Sequence, residues 1–299
     1  MSEENGRTDL TWRELLDEGG ARLSEAGVPD AGTDAWYLME AAFEIDRVHY
    51  YLDQNRPIHA ERLEKGYGRY QEMLQKRAER IPLQQILGMQ DFMGMTFSVD
   101  ENVLIPRQDT ETLVERVLRD YPEKDLKLLD MCTGSGCILL SIVKLAAELK
   151  GCREVTGTGV DLSEKALKIA QENQRNLGLE QTTALLQSDL FEQVNGTYDM
   201  IVSNPPYIAS EVITTLSEEV KDHEPMMALD GGTDGLDFYR IIIEKSPAYL
   251  APKGMLFFEI GYDQGASVSQ LMEKDFENIH VIQDLAGLDR VVYGTCKAQ

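Results

Sequence analysis

Leu10, Leu15, Leu16 and Leu23 recur at helical spacing. That pattern predicts an amphipathic helix at the start of the chain, with Thr11 as its cap. Gly27-Val28-Pro29-Asp30 interrupts it. A second helix from about Asp34 carries Trp36, Leu38, Met39, Ala42 and Phe43 on its apolar side. After Pro57, a third run places Leu63, Tyr67, Tyr70 and Leu74 on one face. Residues 1–85 therefore read as a small all-α bundle with no catalytic motif.

The period then changes. Residues 90–99 hold strand-forming residues around Gly94, which predicts a hairpin. With Val103-Leu104-Ile105 it forms a linker over 86–105, and the second domain spans 106–299. From residue 126 onward, strands and helices alternate. Strands are predicted at 126–130, 155–161, 182–189, 198–203 and 255–260. Helices are predicted at 138–149, 163–176, 235–250 and 263–274. Such alternation implies a parallel sheet with right-handed crossovers. The last two strands, 280–284 and 290–293, are joined by Ala286-Gly287-Leu288, too short a connection for a crossover, so they close the sheet as an antiparallel hairpin. The fold class is α/β: a Rossmann-like, mostly parallel seven-stranded sheet preceded by a small all-α domain.

The chain's 299 residues suit two domains, and its 42% hydrophobic content supplies a full core. Lys and Arg number 29 against 52 Asp and Glu, a net charge of −23. That balance opposes a partner bound through phosphates. Residues 1–7 have neither the basic nor the apolar region of a secretion signal. Residues 138–147, the best apolar run, are too few to span a bilayer. Cys132, Cys137, Cys152 and Cys296 show no metal-site spacing and read as reduced cytosolic thiols. No metal is expected, and the localisation expected is cytoplasmic.

Open α/β sheets bind ligands beyond the carboxyl ends of their strands. Three features fall there. Cys132-Thr133-Gly134-Ser135-Gly136 follows the first strand. Its glycines permit a sharp turn and close backbone approach, and the helix after it offers free N–H groups to a carboxylate. Asp161 ends the second strand, where it can accept both hydroxyls of a ribose. Asp189 ends the third, where it can accept an adenine amino group with Leu190 and Phe191 beside the ring. The set suits S-adenosylmethionine. A dinucleotide fits less well, because the turn lacks the third glycine of the Gly-x-Gly-x-x-Gly pattern.

Asn204-Pro205-Pro206-Tyr207 directly follows the fourth strand. A Pro-Pro turn ending a strand is ordinary; one placed on a cofactor-binding sheet is not. An amide nitrogen is a poor nucleophile because its lone pair is delocalised. The Asn204 carbonyl can accept one of its N–H groups and the Pro205 backbone carbonyl the other, so the lone-pair face is held toward a methyl donor. Two prolines keep that loop rigid. Tyr207 can lie against a planar group. Alignment is then the main catalytic device. His223 is not required as a base.

With these stretches the chain resembles the peptide chain release factor glutamine methyltransferases, the HemK/PrmC family. The resemblance also rests on Pro82-Leu83-Gln84-Gln85-Ile86-Leu87-Gly88, Ile105-Pro106-Arg107-Gln108-Asp109-Thr110-Glu111, Glu224-Pro225, Glu259-Ile260-Gly261 and Arg290-Val291-Val292. It implies a class I S-adenosylmethionine-dependent methyltransferase whose acceptor is the glutamine of the Gly-Gly-Gln motif in class-1 release factors. It also implies that residues 132–136, Asp161, Leu190 and Asn204 bind the cofactor, that Asn204–Tyr207 hold the glutamine, and that the helical domain grips the release factor. Arg107 and Glu111 are candidates for the substrate wall, and Glu224-Pro225 for a lid. The chain is expected to act as a monomer without nucleic acid. The family usually has Gly at Cys132 and Pro at Gln108. The alternatives are another protein glutamine, as in a ribosomal protein, or a nucleic acid base amino group, which shares the Asn-Pro-Pro-Tyr motif.

Overall fold

The computed structural model describes residues 10–120, 125–150 and 155–297. The amino-terminal segment read as lacking a secretion signal, and Cys152, lie outside the described residues. The chain divides into two compact units between Gly88 and Met89.

The first unit holds α1 (Trp12–Glu25), α2 (Ala31–Phe43), α3 (Arg47–Asp53), α4 (Ala60–Ala78) and α5 (Leu83–Leu87). Thr11 caps α1 as predicted. Its hydroxyl accepts the Glu14 N–H at 3.2 Å, and the Glu14 carboxylate accepts the Thr11 N–H at 2.9 Å. Leu15, Leu23, Trp36, Leu38, Met39, Phe43, Tyr70 and Leu74 form the core. A buried Arg77–Asp34 ion pair, Nε to Oδ2 2.7 Å, ties α4 to α2. The short α3 and α5 were not legible in advance, because they are too short to show a period.

The second unit opens with the hairpin β1 (Met89–Phe92) and β2 (Met95–Ser98), then α6 (Glu111–Asp120). Residues 86–105, read as a linker, are divided between the two units, because Phe92 and Phe97 are buried in the core of the second. There follow β3 (Leu126–Met131), α7 (Cys137–Lys150), β4 (Val155–Asp161), α8 (Glu164–Leu177), β5 (Thr183–Gln187), β6 (Tyr198–Ser203), α9 (Ser210–Ile213) and α10 (Glu218–Lys221). The unit closes with α11 (Asp237–Lys245), β7 (Leu250–Glu259), α12 (Gly265–Met272), β8 (Phe276–Gln283) and β9 (Asp289–Cys296). The predicted helix over 235–250 stops at Lys245. Ser246-Pro247 turns into a short 3-10 segment there, as Pro247 has no N–H to donate. β7 starts earlier than expected and absorbs the difference in an irregular register against β6 between Tyr198 and Met200.

The seven-stranded sheet has the order β5-β4-β3-β6-β7-β9-β8. β5 to β7 are mutually parallel, and β9 runs against both its neighbours. Both faces are covered. Leu128, Met200, Val202 and Phe257 face one apolar cluster, while their neighbours Leu129, Ile201 and Phe258 face another. This is why the strands read as continuous apolar runs. The chain leaves β3 toward β4 on one side and later fills β6 on the other, so the order reverses between β3 and β6. A crevice opens at the carboxyl ends of strands at such a reversal.

Candidate functional site

A cavity of about 530 Å³ occupies that crevice. Its walls come from the turn after β3, the ends of β4 and β5, Asn204 and Pro206 after β6, and two outer segments, 102–110 and 225–230.

The turn after β3 is held on three sides. The Thr133 N–H donates to the Val160 carbonyl at 2.9 Å, and the Gly134 N–H to Asp161 Oδ2 at 2.8 Å. The Thr133 hydroxyl donates to Asp130 Oδ2 at 2.6 Å. Gly134 has φ +54°, and a Cβ placed on it would meet nothing within 4 Å, so its backbone stands bare against the cavity. Cys132 has φ 63° and Leu190 φ 46°. Two non-glycine residues in the left-handed region, both lining one cavity, are strain concentrated at a site. The Cys132 thiol is pushed well up by burial and by the charges of Asp161 and Asp130. It therefore stays protonated and unreactive.

Asp161 takes the Ser163 N–H on Oδ1 at 2.8 Å besides the Gly134 N–H. Burial raises its carboxyl and these amides oppose the rise. Asp189 is exposed at the rim of the cavity, with buried Leu190 next to it. Phe191 does not flank that space. It stacks on Tyr249 in the core, ring centroids 4.6 Å apart. Asp130 is fully buried; burial lifts its carboxyl to about 7 against the Thr133 hydroxyl, and Oδ1 has no hydrogen-bond partner.

Asn204 and Pro206 line the cavity, whereas Pro205 and Tyr207 pack behind them. The loop is braced from outside. Gln264 Nε2 donates to the Tyr207 carbonyl at 2.9 Å, and the Ile208 N–H to the Leu229 carbonyl at 3.0 Å. The Tyr207 phenol is pushed up by burial and by Glu259.

Arg107 lines the cavity, and its Nη2 lies 2.6 and 2.8 Å from the two oxygens of buried Glu224. That pair joins 102–110 to the segment carrying Pro225, Met226 and Met227, which also face the cavity. Glu111 is elsewhere. Its carboxylate accepts the Met93 N–H at 2.6 Å and pins the hairpin. His223 is not among the lining residues. Thr110, Met226, Met227 and Phe238 line the cavity without having been singled out as site residues, and buried Glu259 stands beside Asn204 at the end of β7. Thr110 lies in the Ile105–Glu111 stretch that carries the resemblance. The methionines sit in a segment without periodicity, so no sequence signal marks them. Glu259 has one: a lone acid closing an apolar strand.

Solved structures share this architecture. A methyltransferase from Pyrococcus furiosus matches 69% of this chain and 90% of its own at TM-score 0.51 and 17% identity. A Thermus thermophilus 16S rRNA methyltransferase, crystallised with AdoMet and guanosine, matches 70% of this chain and 50% of its own at TM-score 0.50 and 16% identity. The family profile described as methyltransferase small domain covers residues 107–222. The sheet-bearing unit has the methyltransferase fold.

A profile for the PrmC N-terminal domain covers residues 14–88. The release factor glutamine methyltransferase of Geobacter sulfurreducens is 41% identical over 95% of this chain and 96% of its own. That of Caulobacter vibrioides is 38% identical over 91% and 92%. The chain belongs to the release factor glutamine methyltransferase family.

Proposed function

We propose that this protein transfers a methyl group from S-adenosylmethionine to the side-chain amide nitrogen of the glutamine in the Gly-Gly-Gln motif of class-1 release factors. The observation that carries the reading is that Asn204 shares one cavity with the Gly134 turn and Asp161. A methyl donor and an amide acceptor would thus meet in a single space.

The donor set fits S-adenosylmethionine. Gly134 leaves room where a Cβ would intrude, Asp161 keeps lone pairs toward a ribose, and Asp189 is free at the rim. Cys132, Thr133, Ser135 and Gly136 would complete the turn around its methionine end, with Leu190 against the adenine. The cofactor supplies an electrophilic sulfonium methyl. The protein's part is alignment. The Asn204 carbonyl accepts one N–H of the glutamine amide and aims its lone-pair face; Pro205, expected to supply the second acceptor, is not among the residues lining the cavity. Tyr207, packed behind Asn204, keeps the loop in place. The Arg107–Glu224 pair holds Met226 and Met227 as an apolar lip that excludes water. The proton lost by the nitrogen passes to solvent after transfer.

The helical unit would grip the release factor, and α3 offers a surface for it: Val48, Tyr51 and Leu52 are each more than 60% exposed. No helix among the described residues is long and apolar enough to cross a membrane. We assign the protein to the cytoplasm, acting as a monomer on a protein partner, without nucleic acid.

The test is transfer of a labelled methyl to a purified class-1 release factor, read by peptide mass spectrometry. One methyl on the Gly-Gly-Gln glutamine is expected, reduced about 100-fold or more by Asn204→Ala. Methylation of some other protein glutamine or of a nucleic acid base, with none on the release factor, would overturn the reading.

A further inference from the structure

β6 and β7 are parallel neighbours, with Ser203 opposite Phe258. The next residue on each strand, Asn204 and Glu259, therefore lie side by side at the carboxyl end of the sheet. Glu259 is 2% exposed. Its backbone carbonyl accepts the Tyr239 hydroxyl at 2.8 Å, which fixes the strand end from behind. Thr110 and Asn204 are near enough to favour its charged form, and its Oε2 has no hydrogen-bond partner among the described residues.

A side-chain amide is nearly symmetric in shape. Packing alone does not decide which end faces a cavity. A neighbouring carboxylate does decide it, because it only accepts hydrogen bonds while the amide NH2 only donates. We infer that Glu259 is a positioning residue: it draws the Asn204 NH2 toward β7 and so turns the Asn204 carbonyl into the cavity, where an acceptor N–H is to be received. The inference rests on the role proposed above for Asn204.

Protonation would undo this. A neutral carboxyl can donate to the Asn204 carbonyl and turn the wrong end outward. Burial lifts Glu259 to about 7, opposed by Thr110, Arg290 and Asn204. The charged and titratable groups around it are Arg290 on β9, Asp109 beside Thr110, Tyr207, Tyr239 on α11 and Cys137 at the start of α7. The tyrosines and Cys137 are all pushed upward, so they do not titrate near neutrality.

The test uses the full chain labelled with 15N-asparagine. The Asn204 side-chain resonance is identified by its loss in Asn204→Ala. It should move with pH about a midpoint near 7 in the native protein and stay still in Glu259→Gln. The kcat for glutamine methylation should rise through the same midpoint. In Glu259→Gln it should fall about tenfold at pH 8 and lose that rise, with KM for the cofactor unchanged. If Glu259→Gln melts too early to measure, Thr110→Val serves instead, and its midpoint should lie higher. An Asn204 resonance that titrates equally in the glutamine variant, or an unshifted midpoint in Thr110→Val, overturns the inference. The resonance does not depend on the acceptor. Absent methylation with an intact titration would defeat the functional reading and leave this one standing.

Discussion

Cys132 occupies a backbone conformation that side chains disfavour by about 1–3 kcal/mol. It is tolerated because the turn is over-determined: Thr133 is anchored to Val160 and Asp130, and Gly134 to Asp161. The residue's small unbranched side chain adds no further clash. Cys132→Gly should therefore leave thermal stability within about 1 kcal/mol, as relief of strain offsets the added freedom of the unfolded chain. Cys132→Val, branched at Cβ, should lose about 2 kcal/mol in thermal melts. Equal melting of both variants would show that this conformation stores no strain.

At the scale of elements, the Asn-Pro-Pro-Tyr loop is not rigid through its prolines alone. The segment around Gly231 lies against its backbone. The Gly231 N–H donates to the Ile208 carbonyl at 2.9 Å. A Cβ on Gly231 would stand 2.7 Å from the Tyr207 Cα and 2.8 Å from the Pro206 carbonyl oxygen, both backbone atoms that cannot swing away. Gly231→Ala should displace the loop and cut kcat about 100-fold. Affinity for S-adenosylhomocysteine, measured calorimetrically, should be retained, since the turn after β3 is untouched. Loss of that affinity would mean the two halves of the site are not separately supported.

At the scale of the whole molecule, the two units have separate cores, one around Leu38 and Tyr70 and the other on both faces of the sheet. Such chains commonly unfold in more than one step. Scanning calorimetry should resolve two transitions. S-adenosylhomocysteine at about 100 times its Kd should stabilise the sheet-bearing unit by about 2.7 kcal/mol and leave the helical one where it was. A single transition that moves as a whole would show the units to be thermodynamically one. The charge of −23 also fits a protein partner better than a phosphate backbone.

The residues by themselves determined the alternation of strands and helices, the capped first helix and the motifs at the strand ends. Each of these is local: a period, a cap or a turn is written within a few consecutive residues. That Cys132–Gly136, Asp161, Leu190 and Asn204 come together at one crevice was legible for the same reason, as they follow or end strands that the apolar pattern marks. Only the tertiary structure decided that β3 lies between β4 and β6, that the hairpin packs with the sheet, that Glu111 holds the hairpin and not the cavity, and that Phe191 joins the core. It alone set Arg107 against Glu224 and Glu259 beside Asn204. Those pairings join positions 117 and 55 residues apart. Contacts of that span are chosen by how whole faces bury against each other, and no window of sequence contains both partners.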